Sequence, residues 1–203
     1  MNKTKEDAEK TRQNILDTAL LIFSRRGYRG TRLEDVAKQA GVTRGAIYWH
    51  FRDKFDLYDT LLRDGYASYY ERIAAILNAD ESPLSRIRRL FVETFVFSED
   101  DEKYRAVEEI RIFKPEAIDE MKRPMQGMAA VSKFLRQAVA TLIREGIKAG
   151  EIKSGIDPDL AALSLVSHMS GVVITWMRDP QSFSIKGLAE DLVDYQLSSI
   201  VRE

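Results

Sequence analysis

The sequence predicts an all-α chain: an N-terminal three-helix helix-turn-helix domain joined rigidly to a larger helical domain, nine or ten helices in total. Two observations carry this. Apolar residues recur at helical spacing through almost the whole chain, and no stretch alternates convincingly as a strand. Glycines and X-Pro pairs punctuate those runs where helices should begin and end. With 203 residues, 44% of them hydrophobic, the chain can bury one sizeable core or a small domain beside a larger one.

The elements follow in order. Ile15, Leu16, Ala19, Leu20 and Phe23 form one apolar stripe, which Gly27 ends. Thr31-Arg32-Leu33-Glu34 reads as a capping box for a short helix from Leu33 to Ala40, closed by Gly41. Thr43 is placed to cap the next helix, which runs to about His50, and Asp53 to cap a long one that stops at the break over 78–83. Pro83, Pro115, Pro124 and Pro158 fall in first helical turns. Gly150 and Gly155 mark the end of a helix from about 125 to 149, Asp179-Pro180 ends an apolar one, and a last amphipathic helix covers about 184–201. The domains expected are 1–53 and 54–203.

Composition narrows the chemistry. There is no cysteine, hence no disulfide, thiolate nucleophile or Cys-ligated metal. The polar start MNKTKEDAEKTRQN lacks the apolar core of a secretory signal, so the expected location is cytoplasmic. Net charge is only −1, but residues 1–54 hold 12 Lys+Arg against 7 Asp+Glu, leaving 19 against 25 for the rest. A basic N-terminal quarter on an acidic body suits a protein that meets a polyanion at one end. Leu160–Met177 has no charged residue, yet Ser164, Ser167, His168, Ser170 and Thr175 argue for a buried or dimer-interface helix and no membrane span. The run Glu99–Glu102 is read as favouring a helix N-terminus, since it lacks the loop spacing of a metal site.

Residues 33–50, LEDVAKQAGVTRGAIYWH, fit a helix-turn-helix. Ala37 is small where two helices cross, Gly41 suits a left-handed turn, and Leu33, Val36, Ala40, Val42 and Ile47 supply apolar contacts. An ordinary αα-corner has the same pattern, and the second helix argues against it. With Ala46 and Ile47 inward, Thr43, Arg44, Gly45, Tyr48 and Trp49 are left outward, the set a recognition helix needs for the major groove. Arg44 can read guanine, Thr43 can meet phosphate or a thymine methyl, and Gly45 lets the backbone approach. Tyr48, Trp49 and His50 can reach phosphate or sugar with their rings partly buried. Lys54 adds a phosphate contact at a helix start, and Thr31 and Arg32 clamp the other side. His50 has no nucleophile or second base near it in sequence, so a catalytic role finds no support.

The stretch RQNILDTALLIFSRRGYRGTRLEDVAKQAGVTRGAIYWHFRDKFDLY resembles the DNA-binding domain of the TetR family of bacterial repressors, most of all its AcrR-type multidrug-efflux branch. The family's glycine, tyrosine, aromatic, His-Phe and lysine fall on Gly45, Tyr48, Trp49, His50-Phe51 and Lys54, and the resemblance carries their contact roles to those positions. SGVVITWMRDPQSFSIK (170–186) is similar to the corresponding stretch of efflux regulators.

The resemblance implies a helical C-terminal domain with a ligand cavity and a dimer interface, and the residues permit both. Tyr66, Phe91, Phe95, Ile110, Phe113, Met128, Phe134 and Trp176 suit an adaptable pocket for flat apolar molecules, although each can equally be core. His168 is either a core or interface histidine or a polar anchor for ligand. The helices at 158–178 and 184–201 are the expected homodimer surface. The whole then reads as a repressor that binds double-stranded, pseudo-palindromic operator DNA and is released by a small hydrophobic effector, with efflux genes as the target implied by the resemblance. The alternative is a DNA-binding architectural or division-control protein of the same fold that answers to no ligand. No catalytic motif, cofactor or metal site is expected, and an enzyme finds no support: GxSxG, HExxH, a Walker loop and Cys/His pairs are all missing.

Overall fold

The computed structural model describes residues 2–114 and 122–202, with side chains over 5–114 and 132–202. These residues form α1 (Asn2–Arg26), α2 (Leu33–Ala40), α3 (Arg44–His50), α4 (Lys54–Leu77), α5 (Pro83–Asp100), α6 (Glu102–Phe113), α7 (Lys122–Ala149), α8 (Pro158–Arg178) and α9 (Ala189–Leu197). Among the described residues there is no strand, only an isolated antiparallel bridge between Ile152 and Val201. The all-α class is as the sequence predicts. Pro83 and Pro158 open their helices and Pro124 lies in the first turn of α7, while Pro115 lies outside the described residues.

Two compact units form: Met1–Ser68 with Lys103–Pro124, and Tyr69–Glu102 with Met125–Glu203. The division falls elsewhere than 53/54. The first part of α4 and the whole described length of α6 after Glu102 pack with the N-terminal helices, and α4 continues from one unit into the other.

In the first unit, α1 buries Ile15, Leu16, Ala19, Leu20 and Phe23 against α2 and α3, which contribute Leu33, Val36, Ala37 and Ile47. Gly27 ends α1 in the left-handed conformation (φ 69°), its N–H returning to the Phe23 carbonyl at 2.9 Å. Beside this stop an aromatic cluster closes the core: Tyr58 of α4 meets Phe23 and Tyr28 edge-on, with centroids at 5.1 and 5.2 Å. The capping box expected at Thr31 and Glu34 does not form. Arg32 is the N-cap of α2 without a side-chain bond, because the buried Thr31 hydroxyl donates instead to the Gly27 carbonyl at 2.7 Å. At the start of α4 two carboxylates do cap the chain: Asp53 Oδ1 accepts the Asp56 N–H at 2.8 Å, and Asp56 Oδ2 accepts the N–H of Arg52, one residue before Asp53, at 3.0 Å. Further along α4, the Tyr66 hydroxyl donates to the buried Glu108 of α6 at 2.6 Å, and Arg111 Nε donates to the same carboxylate at 3.0 Å.

In the second unit, α5 buries Ile87, Leu90, Phe91 and Phe95 against α8 and α9. Arg88 of α5 grips Asp194 of α9 with two nitrogens, at 2.7 and 3.0 Å. The acidic run differs from expectation. Glu99 and Asp100 are the last residues of α5, Asp101 is its C-cap, and only Glu102 opens a helix. Glu99 accepts from Ser184 Oγ (3.0 Å) and from the Lys186 N–H (2.9 Å), and Asp100 pairs with Lys186 Nζ at 2.7 Å. Those bonds hold Ser184 and Lys186, and Ser184 Oγ also accepts the Gly187 N–H, so the chain there forms a separate turn and the last helix runs from Ala189 to Leu197 rather than over 184–201.

Candidate nucleic-acid interface

The turn and the helix after it are built from a few local contacts. Gly41 takes φ 69° with open space around its α-carbon, and the Val42 N–H reaches the Ala37 carbonyl at 3.0 Å. Thr43 in extended conformation accepts the Ala46 N–H on Oγ1 at 3.1 Å and starts α3, and the Phe51 N–H closes it on the Ile47 carbonyl at 2.8 Å. Ile47 and Phe51 are fully buried, so they fix which way this short helix faces. Asn14 Nδ2 holds the end of α2 from α1, through the Ala40 carbonyl at 2.8 Å.

Opposite Ile47 the helix is bare. Thr43, Arg44 and Gly45 are exposed, Tyr48 is 45% exposed and Trp49 73%. The sequence placed Tyr48, Trp49 and His50 with partly buried rings. Trp49 departs from this: its indole touches the edge of the half-buried His50 ring (4.5 Å between centroids) and is otherwise largely open to water. An indole held this far out of the core is available to stack or pack against another molecule. A Cβ added at Gly45 would meet only Thr43 Oγ1, at 3.7 Å, so nothing within the protein requires glycine there.

Arg44 does not swing free. Its Nη1 pairs with Glu34 Oε1 of α2 at 2.6 Å, its Nη2 donates to the Tyr48 hydroxyl at 3.1 Å, and its guanidinium lies 5.4 Å from the Tyr48 ring centroid. The Tyr48 hydroxyl and then the Glu34 charge favour the cationic form further. For His50, burial first and the neighbouring Arg12 guanidinium second hold the ring below its ordinary pKa, so it is neutral at pH 7.

Two residues predicted to reach a phosphate are used inside the protein. Thr31 is 1% exposed with its hydroxyl committed to Gly27, because the chain must turn tightly out of α1 there. Lys54 Nζ donates to the carbonyls of Tyr28 (2.9 Å) and Thr31 (3.1 Å) and sits 4.2 Å from the Tyr28 ring centroid. Those carbonyls belong to the loop between α1 and α2, where no helix satisfies them, and a lysine at the first position of α4 is within reach. Arg32 remains exposed at the N-cap of α2. The outward set is therefore Arg32, Thr43, Arg44, Gly45, Tyr48 and Trp49, with His50 at its border. Glu34 is the participant that sequence reasoning missed. Glu34 meets Arg44 only through the turn, and no local spacing signals it.

The profile of bacterial regulatory proteins of the tetR family matches residues 15–61, and that of the C-terminal region of MAATS-type transcriptional repressors matches residues 82–201. The chain belongs to the TetR family. It is 33% identical over 192 residues to the HTH-type transcriptional regulator AcrR of Shigella flexneri, covering 94% of this chain and 89% of that one. To the HTH-type transcriptional regulator TtgR of Pseudomonas putida it is 30% identical over 201 residues, covering 98% and 96%. Among solved structures, NalD of Pseudomonas aeruginosa, described as the secondary repressor of the MexAB-OprM multidrug efflux pump, superposes with a TM-score of 0.82 at 29% identity over 98% and 99% of the two chains. The SmeT–triclosan complex gives 0.80 at 25% identity over 96% and 93%. This TetR protein is a transcriptional repressor by type, since both halves of the chain match those of transcriptional regulators.

Of the nine residues proposed from sequence for a ligand pocket, eight have described side chains, and these fall in both units. Tyr66 and Ile110 are buried in the first unit, where Phe113 is partly exposed. Phe91, Phe95 and Trp176 are fully buried in the second, as a stripe at helical spacing is when helices pack around it. Phe134, 58% exposed, lines a largely apolar groove of about 510 Å³ with Tyr69, Tyr70, Ile73 and Leu77. His168 is exposed and lines a hollow of about 470 Å³ with Gly171, Thr175, Phe183 and Leu188. The side chain of Met128 lies outside the described residues. α8 exposes Leu160 and Leu163, the turn before α9 exposes Leu188, and α9 exposes Tyr195, the last by 82%. The helix Pro158–Arg178 is long and apolar enough to cross a bilayer, and its inner face is buried through Ala162, Leu165, Met169, Val173 and Trp176.

Proposed function

We propose that this chain is a homodimeric repressor that grips a pseudo-palindromic operator with α3 and is released by a small, largely apolar effector, with efflux genes as its target. The observation that carries the DNA-binding part is the outward face of α3. A helix pinned by Ile47 and Phe51 shows water an arginine, a glycine, a tyrosine and an indole with no acidic residue in the helix itself. Backbone amides and a cation reach phosphates, and Arg44 reaches guanine, only from such a face. In the dimer two copies of α3 would enter successive major grooves about 34–36 Å apart.

The apolar face of α8 supports a second copy of this chain as its cover. Leu160 and Leu163 of α8 and Tyr195 of α9 are large apolar side chains in water, and Ser164, Ser167 and Gly171 on the α8 face are small enough to let a helix approach. The groove at Phe134, apolar and ring-lined, is a place where a flat effector could bind. SmeT with triclosan supports that chemistry among proteins similar to this one. α4 runs through both units, so an effector preferring one arrangement of α4 would shift the population away from the DNA-competent one. Cytoplasmic location follows from the same reading.

The test is fluorescence anisotropy with a duplex taken from upstream of the protein's own gene, titrated with and without a panel of hydrophobic antimicrobials. Sequence-specific binding that weakens with at least one compound is expected. Specific binding that no compound changes would favour the ligand-free architectural reading. Loss of all preference over a shuffled duplex would sink the repressor assignment. Sedimentation equilibrium with Tyr195→Glu should convert a dimer to a monomer.

A further inference from the structure

Glu34 stands where a DNA-facing surface has least use for a carboxylate. It lies in the first turn of α2, half exposed, with Oε1 2.6 Å from Nη1 of Arg44 at the start of α3. On the other side, the Tyr48 hydroxyl takes Nη2 at 3.1 Å. Two partners, on two helices, thus hold one guanidinium by its two terminal nitrogens. Folding does not explain the carboxylate. Ion pairs this exposed add little stability, and Asp35, the next residue, already places a negative charge in the first turn of α2.

The arrangement leaves Arg44 its reading capacity. Each terminal nitrogen carries a second N–H, and no described residue takes the Nε–H, so the fork can still meet O6 and N7 of guanine. What it removes is indiscriminate attraction. A free arginine on a flexible stem binds any phosphate it meets, at any register on the duplex. Tethered beside a carboxylate, the same arginine has its charge offset and its direction restricted.

Resting on the reading of α3 as the helix that meets DNA, we propose that Glu34 is a specificity-positioning residue: it orients Arg44 toward base edges and suppresses its binding to phosphate. Glu34 thus lowers non-specific affinity and raises discrimination. Tyr48 completes the clamp from within α3.

The experiment uses the full-length protein, a duplex enriched from a randomised pool by the wild type, and a shuffled duplex of the same composition. Anisotropy over a range of KCl is measured for wild type, Glu34→Gln, Glu34→Asp, Arg44→Ala and the Glu34→Gln/Arg44→Ala pair, with thermal melts to confirm that each folds. Glu34→Gln should tighten binding to the shuffled duplex, steepen its log–log salt slope by about one, and lower the enriched-to-shuffled ratio about ten-fold. Glu34→Asp, which keeps the charge but withdraws the oxygen from Arg44, should lower the ratio without steepening the slope. In the Arg44→Ala background, Glu34→Gln should leave the ratio unchanged. An unchanged ratio in Glu34→Gln, while Arg44→Ala loses discrimination, overturns the role of Glu34 alone. A full Glu34→Gln effect without Arg44 overturns positioning, since Glu34 would then act by itself, for example on cytosine N4. If Arg44→Ala keeps the wild-type ratio, the reading of α3 as the base-reading helix fails first.

Discussion

Gly65 of α4 and Val107 of α6 pack so closely that a Cβ on the glycine would fall within 3.0 Å of the valine side chain, a separation real side chains do not adopt. Both belong to the unit that carries the helix-turn-helix, and Lys114, at the end of α6, donates to the Arg25 carbonyl of α1 at 2.5 Å. Helix α6 is therefore fastened within that unit both along its length and at its end. In an open helix, Gly→Ala would add about 1 kcal/mol of stability. Here Gly65→Ala should destabilise the protein, by about 1–3 kcal/mol as overpacking does. Val107→Ala should recover most of that loss in the double variant. Urea melts of the four proteins check it, and two additive losses would show that the contact is not tight.

Gly45 is the opposite case. With only Thr43 Oγ1 nearby, Gly45→Ala should raise the stability of the free protein by roughly 0.5–1 kcal/mol. The added methyl points to where DNA would lie, so duplex affinity should fall at the same time. Stability and affinity rising together would argue that α3 does not approach DNA at this position.

Lys54 separates an internal role from an external one. Lys54→Met removes two charge-assisted bonds to the Tyr28 and Thr31 carbonyls and should cost about 1–3 kcal/mol in a thermal or urea melt. The salt slope of DNA binding should stay as in wild type. A slope lower by about one with unchanged stability would restore the phosphate contact read from sequence.

His50 gives a pH dependence with a definite sign. Its folded pKa is lowered, by burial first and Arg12 second, so the unfolded chain binds the proton more readily. The contribution to stability is present above its ordinary value near 6.5 and is lost as pH falls through the lower, folded value. A phosphate favours the imidazolium, so DNA binding should take up a proton and tighten between about pH 7.5 and pH 6. His50→Gln should flatten that rise when anisotropy is followed at constant ionic strength. A rise of the same size in the variant would assign it elsewhere.

The start of α4 predicts an acid-side effect. The Arg52 backbone N–H, then the Arg52 side chain, hold the Asp56 carboxyl below its ordinary range. Its contribution is therefore present above that range and lost as pH falls through the folded value. Asp53→Ala and Asp56→Asn should each cost about 1 kcal/mol near neutrality. The Asp56 variant should lose less stability than wild type between about pH 4 and pH 3 in melts. Equal losses would place the acid sensitivity at another carboxylate.

Local chemistry determined a good deal of this molecule from the sequence alone. Helix α2 begins at Leu33 and ends at Ala40 as read, because Gly41 can take the left-handed conformation and the residues before it cannot do so cheaply. Thr43 caps α3 as read, because an N-cap hydroxyl needs only the N–H three residues on. Of the inward set Ala46, Ile47 and Phe51 read from helical spacing, Ile47 and Phe51 are buried and Ala46 is half-buried, and Arg44, Gly45 and Tyr48 face outward as read. Tertiary structure decided what depends on residues far apart in sequence. It committed Thr31 to Gly27 and Lys54 to the α1–α2 loop, brought Glu34 to Arg44, closed the space at Gly65, and turned Glu99 and Ser184 against the expected start of the last helix. A polar side chain takes whichever partner the packed core presents within about 3 Å. That choice is made only after the helices have met, so spacing along the chain cannot anticipate it.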